Sequence, residues 1–251
     1  MDSTASRVAL VVVVTVSVAA AVAVNALGSL GHGWAALRAS GRALVQLLVV
    51  ALVIAAVLDS RPLMLAFVAL MVSVASLTAA RRLTQDRSGA WAALPVVAGA
   101  LPALALVLVT GLVPFEGVAV VPIGGILIGG AMTATVLAGR RSLDALASRR
   151  GEYEAALSVG LTSRDAALLV ARDDAALALV PGLDQTRTVG LVTLPGAFVG
   201  MLLGGASPID AAAVQLVVLV ELLMVQSVAV VVVVELVARG WLGRSVPRVG
   251  R

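Results

Sequence analysis

Apolar residues along this chain come in membrane-length blocks, not in the short alternations that mark one-sided burial in a soluble domain. Seven blocks are expected to be transmembrane helices: Val8–Leu27, Ala43–Leu58, Leu63–Ala80, Trp91–Phe115, Val118–Gly139, Thr188–Ala206 and Ala211–Ala238. The first is twenty residues without a charge, which would reach about 30 Å as a helix. It exceeds the apolar core of roughly 7–15 residues in a signal peptide, so it reads as a span. The second is short at sixteen residues, and Arg42 at its mouth is placed to snorkel. Gly28–Arg42 is a polar, Gly-rich connection, Asp59-Ser60-Arg61-Pro62 a tight turn, and Arg81, Arg82 and Arg87 mark the next loop. Glu116-Gly117 and Ser207–Asp210 are further turns. Pro95, Pro102 and Pro114 predict kinks in the fourth span.

One long polar run interrupts this pattern, from Arg140 to Arg187, and it holds seven of the eighteen arginines. Residues 141–159 have helix-forming composition, and Arg140/Asp144 and Arg150/Glu154 stand at the supportive four-residue spacing. Gly160 suits the left-handed residue that ends a helix. Thr162-Ser163-Arg164-Asp165 then matches a capping box opening a second helix, expected to run to about Val180 and stop at Pro181-Gly182. The fold class that results is all-α: a polytopic helical membrane protein of about seven spans with a helix–turn–helix arm. By segment, 1–139 carries spans one to five, 140–187 the arm, 188–238 the last two spans and 239–251 a basic tail with Arg239, Arg244, Arg248 and Arg251. Placing the arm in the cytoplasm puts the N-terminus outside and the C-terminus inside. Only Arg7 and Arg61 then face outward, the asymmetry expected of a multi-pass plasma-membrane protein.

Composition narrows the chemistry. Of 251 residues, 61% are hydrophobic and 13% charged, with a mean hydropathy of +1.09; soluble domains carry about 25% charge. Cysteine is absent, which removes thiolate metal sites and cysteine nucleophiles. The single histidine, His32, reads as a solvated loop residue and cannot form a zinc or proton-relay cluster. All eighteen basic residues are arginine, so a P-loop lysine and a Schiff-base lysine are both excluded. If ATP drives this protein, another chain hydrolyses it. No catalytic residues and no cofactor on this chain are expected. The formal charge of +4 reflects cytoplasmic arginines better than nucleic-acid binding, for no basic stripe with interleaved aromatics is present.

Polar groups inside the spans are costly, roughly 2.5–3.5 kcal/mol for an acid at a helix centre. Glu221 lies near the midplane of the last span, as a cation ligand, a proton-coupled site or a structural hydrogen-bonder. Glu235 sits nearer the cytoplasmic end. Gln46 and Gln215 are pathway candidates, with interhelical hydrogen bonding the favoured reading. Pro122, Gly124, Gly125, Gly129 and Gly130 allow close backbone packing in the fifth span, and Leu194-Pro195-Gly196 should break the sixth in its middle. Broken helices survive only against protein or a water-lined cavity. The pathway is therefore expected between the fifth and sixth spans, with small-residue packing as the alternative. Met132 and Met201 are soft ligands or core filling, and no metal-ligand set is identified.

Glu154-Ala155-Ala156, three residues, then Gly160 resembles the cytoplasmic loop by which ABC-transporter permeases dock on their ATPase. The later Leu-Pro of that loop is missing; Arg172-Asp173-Asp174 stands near its place. From about Arg42 onward the chain is similar to the Fet-type iron-export permease family, whose plant relatives are aluminium-tolerance membrane proteins. The matching pieces are Gly41-Arg42 with Gln46-Leu47, Val121-Pro122-Ile123-Gly124-Gly125 with Gly129-Gly130-Ala131-Met132, and Leu157-Ser158-Val159-Gly160. They continue with Pro181, Asp184, Arg187–Val192, Leu194-Pro195-Gly196, Gly200, Pro208 and Gln215. Departures stand at Gly130, where the family usually has Asn, and at Arg187, where it has Lys. The resemblance implies a homodimeric permease in the lipid bilayer, working with a separately encoded ATPase that holds ATP and magnesium, and exporting a metal ion. Glu154, Ala155, Ala156 and Gly160 would carry the coupling. The rival reading is a secondary transporter or channel using Glu221; an intramembrane enzyme lacks a His, Cys or Lys apparatus.

Overall fold

A computed structural model of the chain describes residues 4–243, so Arg244, Arg248 and Arg251 of the expected tail lie outside the described residues. The chain divides into two units, one ending at Asp59 and one beginning at Ser60. The first holds α1 (Thr4–Leu27) and α2 (Gly33–Asp59), which pack on each other. Their connection turns through Ser29 at φ 52° and Gly31 at φ 71°. In the most apolar stretch of α1 none of the residues is buried within the unit, and in α2 only 6% are. Surfaces this apolar are at home against hydrocarbon.

The second unit contains α3 (Arg61–Leu83), a 3-10 turn (Arg87–Ala92), α4 (Ala93–Val109), α5 (Gly117–Ser148), α6 (Arg150–Ser158), α7 (Ser163–Ala176), α8 (Val180–Thr188), α9 (Gly196–Leu203) and α10 (Pro208–Ala238). Its centre is the pair α5 and α10, with α3, α4 and α7 laid around them. Gly99 lets α4 approach α10 closely, since a Cβ there would stand 2.8 Å from the Val225 carbonyl oxygen. Gly139 does the same for α5, where a Cβ would meet Leu83 at 2.7 Å and Val233 at 3.2 Å. Beyond α10 the chain is pinned back: Trp241 stacks on Trp91 with ring centroids 4.9 Å apart, and the Gly243 amide donates to Ser88 Oγ at 3.1 Å.

Among the described residues six helical stretches are long and apolar enough to cross a membrane, and they overlap six of the seven expected spans. The second is longer than expected, because α2 begins at Gly33 and takes in most of the expected Gly28–Arg42 connection, giving 27 residues rather than sixteen. The seventh, 188–206, differs. Apart from Thr188, which ends α8, it is helical in the eight residues of α9, about 12 Å of rise. Pro195 has no N–H to continue a helix and disfavours helical backbone at Leu194; Pro195 itself is extended, at φ −64° and ψ 146°. Upstream, Gly190 at φ 84° closes a tight turn in which its amide donates to the Thr193 carbonyl at 2.8 Å. The expected break therefore leaves a half-helix. In the fourth block Pro114 falls beyond the end of α4, and Pro102 lies inside it.

The arm also departs in detail. α5 runs uninterrupted through the expected boundary at 139/140 to Ser148. The helix breaks at Arg149 (φ −106°, ψ 39°), whose guanidinium bonds the Asp174 carboxylate and the Val170 carbonyl of α7. Pro181-Gly182 does not stop a helix: Pro181 sits in the first turn of α8, where its missing N–H has no partner to lose. Gly160 does take the left-handed conformation, φ 96°, and Thr162 caps α7 by accepting from the Asp165 amide at 3.1 Å. Thr162→Ala is expected to destabilise the protein by about 1 kcal/mol, read as a lower thermal midpoint in detergent.

Candidate functional site

Two places gather the candidate residues of the second unit. The outer one is the arm. Arg150 and Glu154 form the expected pair at 2.8 Å, whereas Arg140 turns from Asp144 to donate to the Arg82 carbonyl at 3.0 Å. Glu154, Ala155 and Gly160 are exposed, and Ala156 is buried with Tyr153. Ala156 thus seats α6 within the fold, while the other three face outward. On the same hairpin Val159 is 76% exposed and Leu169 65% exposed. A shallow groove of about 410 Å³ runs along α7 and is lined by Leu161, Arg164, Asp165, Leu168, Leu169, Arg172 and Asp173.

α7 is tied to the membrane part by packing and charge. Ala166, Ala167, Val170, Ala171 and Ala175 form its buried stripe, against α5 and α10. Arg164 grips Glu235 of α10 with both ends of its fork, Nε to Oε1 at 2.6 Å and Nη2 to Oε2 at 2.8 Å. Arg239 adds a third contact, Nε to Oε1 at 2.5 Å. The hydrogen bonds to Glu235, chief among the causes, hold the Arg164 guanidinium above the usual arginine value, so it stays charged. Two-point arginine–carboxylate contacts fix orientation as well as distance.

The inner place is the face of α10 that meets α5. Gln215, Leu222, Gln226 and Val233 recur at intervals of seven, four and seven, one stripe of a helix. Gly130 of α5 lies under Leu222, whose Cδ1 would collide with a Cβ there, and the Gln226 amide nitrogen would be 3.8 Å away. The stretch of α5 that lacks an amide at 130 thus has one beside it, supplied by α10. Gln215 is only 6% exposed, and the side-chain oxygens of Gln215 and Gln226 are both buried without a hydrogen-bond partner.

The remaining candidates scatter. Glu221 also has a buried, unpartnered oxygen, but it points about 120° around α10 from Gln215 by helical geometry. A Cβ on Gly129 would meet nothing within 4 Å, Pro122 is exposed and Met132 half-buried. Pro195 and Gly196 begin α9, which packs on α10. Gln46 lies on an exposed face of α2 in the other unit. Among the described residues no three acids or histidines gather as a metal-holding group. Sequence reasoning missed Gln226, Arg164 and Arg149. Gln226 is a strong hydrogen-bonder inside an apolar span, signal enough to have marked it; the two arginines needed their distant partners.

A family model described as an uncharacterised protein family, UPF0014, matches residues 8–242. The UPF0014 membrane protein STAR2 of Oryza sativa subsp. japonica is 35% identical over 212 residues, 83% of this chain and 74% of that protein. Protein ALUMINUM SENSITIVE 3 of Arabidopsis thaliana is 38% identical over 150 residues, 59% of this chain and 55% of that one. The probable iron export permease protein FetB of Escherichia coli strain K12 is 30% identical over 204 residues, 79% of this chain and 78% of its own length. No solved structure matches significantly.

Proposed function

This chain belongs to the UPF0014 family of membrane proteins, and from that premise we propose that it is the permease subunit of an ABC transporter, exporting a metal ion such as iron. It acts as a homodimer in the plasma membrane, with the arm and C-terminus cytoplasmic and the N-terminus outside. ATP and magnesium are held by a separate ATPase subunit. The name of the bacterial relative supports the substrate class.

The observation that carries the reading is the arm. It offers Glu154, Ala155, Val159 and Gly160 at its surface, and through α7 it is bolted to α5 and α10. A partner that closes on nucleotide would find an apolar foothold there and move the spans behind it. Gly160→Val tests this. The left-handed backbone costs a non-glycine residue about 1–2 kcal/mol, and the branched side chain would obstruct the foothold. Permease-stimulated ATP hydrolysis by the partner is expected to fall several-fold, with the permease still monodisperse in detergent. Unchanged stimulation would remove the arm from its role.

A second reading has one observation in its favour, the buried, unpartnered oxygen of Glu221. It makes the protein a secondary transporter or channel for a small ion. Metal movement that persists in vesicles without ATP, and that Glu221→Gln abolishes, would decide for it.

A further inference from the structure

The start of α8 lies against the middle of α10. A Cβ on Gly182 would collide with Gln226 Oε1 and stand 3.0 Å from its Cδ and 3.2 Å from its Nε2. The flat amide therefore rests on the bare backbone of Gly182, which is itself buried. Gln226 is nine residues from Glu235, about 13 Å along the helix, so this contact lies well inside the apolar length of α10. The amide nitrogen also lies near Gly130 of α5, 3.8 Å from where a Cβ there would stand. Eleven residues earlier, about three turns away on the same face, Gln215 holds a second buried amide oxygen with no partner.

Buried amide oxygens without hydrogen bonds are costly, about 1–3 kcal/mol each, and two on one stripe ask for a function. We propose that the stripe of Gln215 and Gln226 is the cation path through this unit, and that Gln226 seated on Gly182 is its inner gate. Neutral amide oxygens suit a cation in transit, since they replace part of its water shell without holding it as carboxylates would. The gate is tied to the arm by chain continuity: α7 ends at Ala176, a 3-10 turn follows, and α8 begins at Val180. Drawing α7 away carries Gly182 off the amide, and the side chain swings clear. The inference rests on the transport reading above, in that the arm is the part that moves.

The chain has no cysteine, so one placed at 215 reports on access alone. The full-length permease with Gln215→Cys, in liposomes, is treated from the arm side with a water-borne maleimide. Gly182→Ala, whose new methyl group displaces only the far end of a flexible side chain, is expected to raise labelling several-fold. Gln226→Ala should do the same, and Gly182→Ala added to Gln226→Ala should change nothing more. Passive leak of ferrous iron from loaded vesicles with the native Gln215 should follow the same order. Labelling and leak that stay at the starting level in both single variants, or effects that simply add in the double variant, would overturn the gate. None of these readouts needs the ATPase, so failure of the coupling reading, seen as ATP hydrolysis indifferent to the permease, is scored separately.

Discussion

Replacing Glu235 with arginine is expected to release α7 from the end of α10 and abolish the proposed ATP-driven transport while the membrane helices stay folded. Glu235 receives three charged hydrogen bonds, two from Arg164 and one from Arg239, and 28% of its side chain is exposed. Reversing its sign would leave three guanidinium groups facing one another at close range, with repulsion in place of three charged hydrogen bonds. Hydrogen exchange reads the result directly: amides of α7 should exchange about tenfold faster or more, because local opening no longer has to break the clasp. Those in the middle of α10 should not change. Adding Arg164→Glu restores one opposite-charge pair and should recover part of the protection. Equal exchange in the single variant and the native protein would mean that the apolar stripe of α7 holds the arm alone.

The second large effect is expected at Gly99. Gly99→Val places a branched side chain where even a Cβ lies 2.8 Å from the Val225 carbonyl oxygen. The obstacle is backbone inside a helix and cannot rotate away, so α4 and α10 must separate. Overpacking of this kind costs about 1–3 kcal/mol, sometimes more. Gly151 is the matching control, since a Cβ there meets nothing within 4 Å; alanine at that position should stabilise α6 by about 0.5–1 kcal/mol. Thermal midpoints in detergent should therefore move in opposite directions for the two variants. A drop in both would point to helix interiors intolerant of any change.

What could be read in advance followed the range of the forces involved. The left-handed Gly160, the Thr162 cap and the Arg150–Glu154 pair each depend on residues within a few positions, and each is in the structure. The apolar blocks were equally legible, because a bilayer demands length and composition and little else. Pairings across the chain were not. Arg164 and Glu235 are 71 residues apart and Arg149 and Asp174 25 apart, and no local pattern joins them. Arg140 had a suitable acid one turn away and bonded the Arg82 carbonyl instead, since tertiary packing set the position of that backbone oxygen. Pro181 was misread for a related reason. Proline ends a helix or begins one according to what precedes it, and the 3-10 turn at Leu177–Leu179 resets the count. At the inner face, glycines in α5 suggested close packing, but which α10 side chain would fill the space at Gly130 and Gly182 depended on the rotation of α10 about its axis.

The length of α5 has a mechanical consequence. Its 32 residues pass without a break from the membrane level into the arm, a rod of about 48 Å. A tilt of about 5° about one end, with α5 moving as one rod, would sweep the other through about 4 Å. Leverage of that size would turn a small movement at one end of α5 into a displacement wider than a water molecule at the other.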